Sequence, residues 1–164
     1  APPGRSMTAI CWSTAAMSTR SGRAFPAGKA MRSILCPDAT PPHGHYAHAV
    51  VHGGVVYLSG ILGNGAGGAG APPPPVDAQA AYCLDQIAHI LAASGSALDH
   101  VLKLSVHVAD LADWPRIDAL CRDRFGAHRP ARIVVPCGGG LRLGSRIEMD
   151  AIAACIAPPM LLEK

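Results

Sequence analysis

Aromatic side chains are scarce in this sequence, and charged side chains are few. Phe, Trp and Tyr together make up 4% of the 164 residues, and Asp, Glu, Lys and Arg make up 15%. The scarcity of aromatics argues against a platform for single-stranded nucleic acid, which binds bases by stacking them. The low charge, together with 49% hydrophobic residues, excludes a disordered chain. The length suits one domain with a single hydrophobic core.

The sequence also has no long hydrophobic run and no CxxC pair. Residues 39–76 carry no formal charge, but His, Gly and Pro interrupt their apolar runs well before the roughly 18 residues of a membrane helix. We therefore expect no membrane span. We expect the cysteines to be reduced thiols in the cytoplasm, because their spacing fits neither a metal site nor a disulfide framework. The six are Cys11, Cys36, Cys83, Cys121, Cys137 and Cys155.

Acidic residues are absent from residues 1–37, which contain five of the 14 basic residues. The rest of the chain carries nine basic residues against 11 acidic ones, so the net charge of +3 comes from the N-terminal segment. A slightly acidic body argues against nucleic-acid binding, which needs a clustered basic surface. Residues 1–30 have the Arg- and Ser-rich composition of an organellar transit peptide. We favour a flexible extension there, with Met31 as the natural start and residues 31–164 as the domain.

The hydrophobic pattern predicts the element order β-β-α-β-α-β-β. Two helices that are apolar on one side would cover one face of a mixed sheet, which is the α+β class. In the third strand, Leu102 is predicted to share a face with Leu104 and Val106. The Gly- and Pro-rich residues 63–75 are interpreted as a loop inside the domain. Strands are predicted at 47–51, 55–58, 101–108, 131–135 and 145–156, and helices at 76–94 and from about 113 to 125.

Four histidines near the first strand invite a metal hypothesis. Two of them, His48 and His52, are four residues apart in a predicted strand and therefore about 13 Å apart. That is too far for one ion to bridge, and no Cys or carboxylate completes the set locally. We predict no metal site. The four residues are His43, His45, His48 and His52.

Two charged residues interrupt apolar strand patterns: Arg132 in ARIVV and Glu148 in RIEMDAIA. Because burial of a lone charge is costly, each must be paired, exposed or functional. One interpretation is an ion pair between Arg132 and Glu148 on adjacent strands. The other is an arginine fork for a substrate carboxylate, with the glutamate placing a water. Ser59 ends a strand outside a G-x-S-x-G elbow, so we interpret it as structural.

Four segments of the sequence together resemble the RidA/YjgF family of enamine/imine deaminases. The segments are PDATPPHGHYAHAVVHGGVVYLSG, LAASGSALDHV, HRPARIVVP and RIEMDAIA, and the resemblance runs from about Met31 to Ala157. It implies a chorismate-mutase-like α+β fold with a mixed sheet covered by two helices on one face. It also implies a homotrimer with three clefts between subunits.

The resemblance further implies the hydrolysis of reactive 2-enamine and 2-imine acids, such as 2-aminoacrylate, to 2-keto acids and ammonia. The reaction would use water and no cofactor, and the partner would be a small imino or keto acid. Arg132 matches the residue that binds the substrate carboxylate, and Glu148 matches the acid that positions or activates water. Tyr46, Ser59 and Gly60 match residues that line the cleft.

Three positions depart from the family pattern. Asp118 stands where Asn is typical, Val134 replaces a frequent Cys, and Ile61 follows Ser59 and Gly60 where Gln is usual. Asp118 and Val134 are nevertheless expected at the substrate-binding site, so the substrate preference stays open. The alternatives are a non-catalytic or regulatory trimer that binds small acids or partner proteins, which Asp118 would permit, and an endoribonuclease, which the charge balance disfavours.

Overall fold

The computed structural model describes residues 31–67 and 72–156 of the chain. The interpretation of residues 1–30 as a flexible extension lies outside the described residues. Residues 63–67 form a short 3-10 turn and residues 72–75 have no regular structure, in keeping with the predicted loop. The strands are β1 (Arg32–Ile34), β2 (Ala49–His52), β3 (Val55–Leu58), β4 (Ile61–Leu62), β5 (Val101–Val108), β6 (Ala131–Pro136) and β7 (Ile147–Ala154), and the helices are α1 (Val76–Ser94) and α2 (Trp114–Phe125).

The strands form one mixed sheet in the order β1-β2-β3-β7-β5-β6, with β4 also paired to β7. Among the described strands, only β5 and β6 are parallel, because α2 carries the chain back between them, whereas the other pairs are antiparallel. The α+β class and the predicted element order are confirmed. The strands β1 and β4 were not predicted, because three and two residues are too few to show an alternation.

The helices bury their apolar sides on one face of the sheet. In α1 the side chains of Ala80, Leu84 and Ile87 are fully buried, as the 3.6-residue period predicts. The helix ends at Gly95, whose φ of 80° is the left-handed cap that glycine adopts without a steric cost. Within the described residues, no helix combines the length and apolarity that a membrane crossing requires.

One residue of β5 departs from the predicted alternation. Leu104 and Val106 are fully buried as predicted, but the side chain of Leu102 is 50% exposed. The register between β5 and β7 shifts between Val101 and Lys103, and the extra residue of such a bulge lies outside the pairing. The prediction that Leu102 faces the core is therefore wrong.

The sheet face opposite the helices is open in the single chain. Tyr57 on β3 is 47% exposed and Ile133 on β6 is 46% exposed. The side chains next to each of them along the strand point to the other face, towards the helices. Val56, which precedes Tyr57, is fully buried there. We call this surface the open face.

Candidate active site

A cavity of about 440 Å³ lies between the loop of residues 40–46, the junction of β3 and β4, α1 and β7. We call it the Glu148 pocket. Four of the predicted site residues line it: Tyr46, Ser59, Gly60 and Glu148. The volume falls in the usual range of small-molecule sites, roughly 300–1,000 Å³.

Glu148 reaches the pocket because successive side chains of β7 point to opposite faces of the sheet. Its neighbours Ile147 and Met149 are fully buried in the core, so the Glu148 side chain leaves the opposite side of the strand. The carboxylate lies against Gly60, where an added Cβ would overlap its Oε1 atom. None of the ion pairs among the described residues includes Glu148. The carboxylate is therefore available to a water or a substrate.

Ser59 and Tyr46 support the wall of the pocket through backbone contacts. The Ser59 hydroxyl donates to the carbonyl of Ala47 at 2.7 Å, as a structural serine would. The Tyr46 hydroxyl accepts from the backbone N–H of His43 at 3.3 Å. Both side chains border the cavity, but the Ser59 proton is committed to the backbone.

His48 is buried and has a structural role. Its Nδ1 accepts from the backbone N–H of Cys36 at 2.8 Å, so Nε2 carries the proton and donates to the carbonyl of Thr40 at 3.0 Å. Both ring nitrogens are therefore occupied. In the part of the chain that the structure describes, no group of three or more His, Cys, Asp or Glu side chains could hold a metal ion.

Arg132 lies apart from the Glu148 pocket, beside α2. Its Nη1 donates to Asp118 at 2.7 Å, and its guanidinium lies 4.4 Å from the centre of the Trp114 ring. The Arg122 side chain also donates to Asp118, at 3.1 Å. The hydrogen bond from Arg132, together with the nearby positive charges, lowers the pKa of Asp118. Val134 follows two residues later on the same side of β6, packed against the core.

The ion pair between Arg132 and Glu148 that the strand pattern allowed is wrong. Strand β5 lies between β6 and β7, so these two strands are not adjacent. Arg132 pairs in register with Leu104 and Glu148 pairs with His107, three positions further along β5. Because successive side chains of a strand alternate, the two charged residues leave opposite faces of the sheet.

Two thiols near these groups are inert at neutral pH. Burial raises the pKa of the Cys121 thiol to about 11, although the Arg132 charge opposes this shift. Burial, and then the Glu148 charge, raise the pKa of Cys83, whose Sγ donates to the carbonyl of Ile61 at 3.2 Å. Neither thiol provides a thiolate nucleophile.

A family model described as endoribonuclease L-PSP matches residues 36–155 of this chain. The chain belongs to this family, which is also called RidA/YjgF. The 2-iminobutanoate/2-iminopropanoate deaminase of Rattus norvegicus is 32% identical over 124 residues, covering 75% of this chain and 90% of the relative.

Solved structures of RidA-family proteins share the fold. The RidA crystal structure from the Antarctic bacterium Psychrobacter sp. PAMC 21119 superposes with a TM-score of 0.69 at 28% identity, covering 75% of this chain and 98% of the other. The crystal structure of E. coli TdcF with bound serine also gives a TM-score of 0.69, at 26% identity, covering 76% of this chain and 99% of the other.

Several pocket residues of this RidA-family chain were missed by sequence reasoning. Tyr82 and Gln86 lie one helical turn apart on α1, and both contact Thr40. The Tyr82 hydroxyl hydrogen bonds to the Thr40 hydroxyl, and Gln86 Oε1 accepts from the backbone N–H of Thr40 at 2.8 Å. Their i, i+4 spacing on the less apolar side of α1 was a usable signal. Arg142 also lines the pocket, from the Gly-rich turn before β7. The Gly-rich turn has no repeating hydrophobic pattern, so the sequence could not indicate that Arg142 lines the pocket.

Proposed function

We propose that this protein hydrolyses 2-imino acids, and the enamines that tautomerise to them, to 2-keto acids and ammonia. The observation that carries the proposal is the Glu148 carboxylate, which lies against Gly60 inside a pocket and has no ion-pair partner among the described residues. The deaminase name of the rat relative supports the same reaction.

We propose that a complete site forms between subunits of a homotrimer. Within one chain, Arg132 and Glu148 leave opposite faces of the sheet, so one subunit cannot bring both to one substrate. A ring of subunits that meet through different surfaces would place Arg132 of one subunit at the Glu148 pocket of the next. The exposed apolar side chains of the open face supply a surface for such an assembly.

In this mechanism, an enamine acid first gains a proton at C3 and loses one from its nitrogen, which gives the imine. Arg132 binds the carboxylate through its fork and orients the imine carbon. Glu148 accepts a proton from water while the water oxygen bonds to that carbon and the C=N double bond becomes single. The nitrogen takes up that proton from Glu148, which gives a carbinolamine. The hydroxyl proton then passes to the nitrogen as the C=O bond forms, the C–N bond breaks and ammonia leaves. One water enters and one ammonia leaves.

The test is the rate of pyruvate formation from 2-aminoacrylate, generated in the assay by a serine dehydratase. We expect Glu148→Gln to lower kcat/KM by about 10²-fold to 10⁴-fold, because the water loses its base. We expect Arg132→Ala to lower it by about 10²-fold through lost orientation. Arg124→Ala is the matched control, since Arg124 pairs with Asp85 on the helical surface. Full activity in either site variant would refute the assigned roles.

Co-expression of the two site variants tests the shared cleft. A mixed trimer of Arg132→Ala and Glu148→Gln subunits has intact sites wherever the wild-type residues of two different subunits meet. Random mixing predicts about one intact site in four, so activity should return to that fraction of wild type. If mixed trimers stay as inactive as the parents, the site does not combine residues of two subunits.

A non-catalytic protein that binds small acids is the second candidate. It is favoured by Asp118, which engages the Arg132 guanidinium and so weakens the orientation of a substrate that hydrolysis requires, while the Glu148 pocket stays open to small acids. Binding of 2-ketobutyrate by wild type, without turnover of any imine, would support it. Endoribonuclease activity would need a basic surface that the acidic balance of residues 38–164 disfavours. We further propose residues 31–164 as the working domain and the cytoplasm as its location, where free thiols persist.

A further inference from the structure

Arg142 lines the Glu148 pocket from the turn between β6 and β7. None of the ion pairs among the described residues includes it. Those pairs engage five other arginines, which are Arg116, Arg122, Arg124, Arg132 and Arg146. Arg142 therefore brings to the cavity a positive charge that makes no direct ion pair among the described residues, although the Glu148 carboxylate lines the same cavity.

The turn that carries Arg142 is held at both ends. At one end, the N–H of Cys137 donates to the carbonyl of Val108 at 2.8 Å. At the other, the buried hydroxyl of Ser145 donates to the carbonyl of Ile147 at 2.6 Å and accepts from the N–H of Gly63 at 3.0 Å. These contacts limit the backbone motion of the Arg142 turn.

The residue after Arg142 has an uncommon backbone conformation. Leu143 has a φ of 58°, in the left-handed region that side-chain-bearing residues seldom adopt, and its side chain is exposed. No burial of Leu143 offsets this conformation, so the surrounding turn must enforce it. A turn fixed in this way presents Arg142 to the pocket with less conformational entropy to lose on binding.

The size of the pocket also exceeds the needs of the smallest imino acids. A volume of about 440 Å³ would hold roughly 15 water molecules, at about 30 Å³ each. A three-carbon imino acid would fill a minor part of this space, which is that of a single chain before the neighbouring subunit of the proposed trimer covers it. Its single carboxylate, bound by Arg132 of the neighbouring subunit, would leave Arg142 without a substrate group to bind.

We propose that the preferred substrates are 2-imino dicarboxylic acids, and that Arg142 binds the side-chain carboxylate. This inference rests on the proposed function of the same site. A doubly negative substrate would be repelled by Glu148 unless cations offset its charge. Arg132 binds the first carboxylate while it also contacts Asp118, so the second carboxylate depends on the charge of Arg142. The arginine fork suits a carboxylate because it donates two parallel hydrogen bonds to the two oxygens. Arg142 is thus a specificity-determining residue.

The experiment compares the imines of aspartate and asparagine, each generated in the assay from its amino acid by an L-amino-acid oxidase. The two imines have nearly the same shape and differ in the charge of the side-chain group. We expect wild type to favour the aspartate imine in kcat/KM by roughly tenfold or more. Arg142→Gln should bring this ratio close to one, and Arg142→Lys should restore part of it. Arg124→Gln removes the same charge outside the pocket and should keep the wild-type ratio.

The outcomes separate this inference from the proposed function. If Arg142→Gln lowers both rates equally, Arg142 is a general carboxylate anchor and the inference is wrong. If wild type turns over both imines without preferring the charged one, the inference is wrong while the deaminase proposal stands. If wild type accelerates no imine, including that of alanine, the deaminase proposal fails. Calorimetry then decides the inference: tighter binding of oxaloacetate than of 2-oxobutanoate, lost in Arg142→Gln, supports it, and equal affinity refutes it.

Discussion

Because Gly60 has no side chain, it leaves room for the Glu148 carboxylate. The Glu148 carboxylate occupies the space that a Cβ at position 60 would fill, so glycine at the end of β3 allows the acid to reach the pocket. Glycine is used in this way wherever another group approaches the backbone closely. The position of the carboxylate therefore depends on both residues.

The change Gly60→Ala tests this contact. We expect it to displace the Glu148 carboxylate by about 1 Å and to lower kcat/KM for 2-aminoacrylate by about 10²-fold, because catalysis depends steeply on placement. Gly138→Ala is the matched control, since an added Cβ there meets nothing within 4 Å. Steady-state kinetics on both variants, with circular dichroism to verify the fold, makes the comparison. Equal activity of the two variants would contradict the argument.

At the residue scale, the sequence indicates which side chains need an explanation but not what they contact. The apolar surroundings of Arg132 and Glu148 predict that each charge is paired, exposed or functional. The partner of Arg132 is Asp118, which lies on α2 fourteen residues earlier in the chain. That contact depends on how α2 packs against β6, which local pattern does not encode.

At the element scale, α1 is joined to the turn before β7 by a buried amide. Gln79 on α1 is fully buried, and its Oε1 accepts from the backbone N–H of Arg146 at 2.9 Å. Its Nε2 donates to the carbonyl of Pro74 at 2.8 Å. The amide thereby satisfies one backbone group just before α1 and one just before β7, and it positions the strand that carries Glu148.

We expect Gln79→Leu to lower the free energy of unfolding by about 2–3 kcal/mol, because two backbone groups lose their partner. Gln86→Leu makes the same replacement on the same helix, but its partner is the exposed backbone N–H of Thr40, which water can satisfy. That control should lose less than about 1 kcal/mol. Urea unfolding monitored by circular dichroism measures both. If the two variants lose similar amounts of unfolding free energy, the burial of the Gln79 amide does not add to its contribution to stability.

Elements with a strong repeat were the most predictable. The helix α1 has the predicted bounds because its period is regular and Gly95 ends it. The bulge at Leu102 escaped prediction because an extra residue in a strand depends on the partner strand β7 rather than on local sequence. The short strands β1 and β4 pair with β2 and with the part of β7 that β3 leaves unpaired, so these strands depend on partners that are distant in sequence.

At the scale of the whole molecule, the open face is the feature that a single chain leaves unexplained. Helices cover one side of the sheet, whereas Tyr57 and Ile133 on the other side remain about half exposed. The order of strands decides which residues meet on that face, so the sequence alone could not specify it. The separation of Arg132 from Glu148 has the same origin.

We expect Ile133→Glu to convert the proposed trimer into monomers, because assembly would bury the new charge without a partner. Leu111→Glu is the control, since Leu111 is similarly exposed, at 53%, but lies in a 3-10 turn outside the sheet. Light scattering after size-exclusion chromatography gives the mass of each variant. A trimeric Ile133→Glu protein, or a wild-type monomer, would refute this assignment of the interface.

The central place of β7 has a consequence for the synthesis of the protein. The last described strand, β7, is inserted between β3 and β5, so the earlier strands β1 to β3 and the later strands β5 and β6 do not pair directly. A nascent chain that has not yet emerged past Ile147 therefore holds two sheet fragments with unpaired inner edges, which are prone to pair with other chains. The sheet therefore cannot be completed until β7 has been synthesised, and premature termination before β7 would yield a species at risk of aggregation.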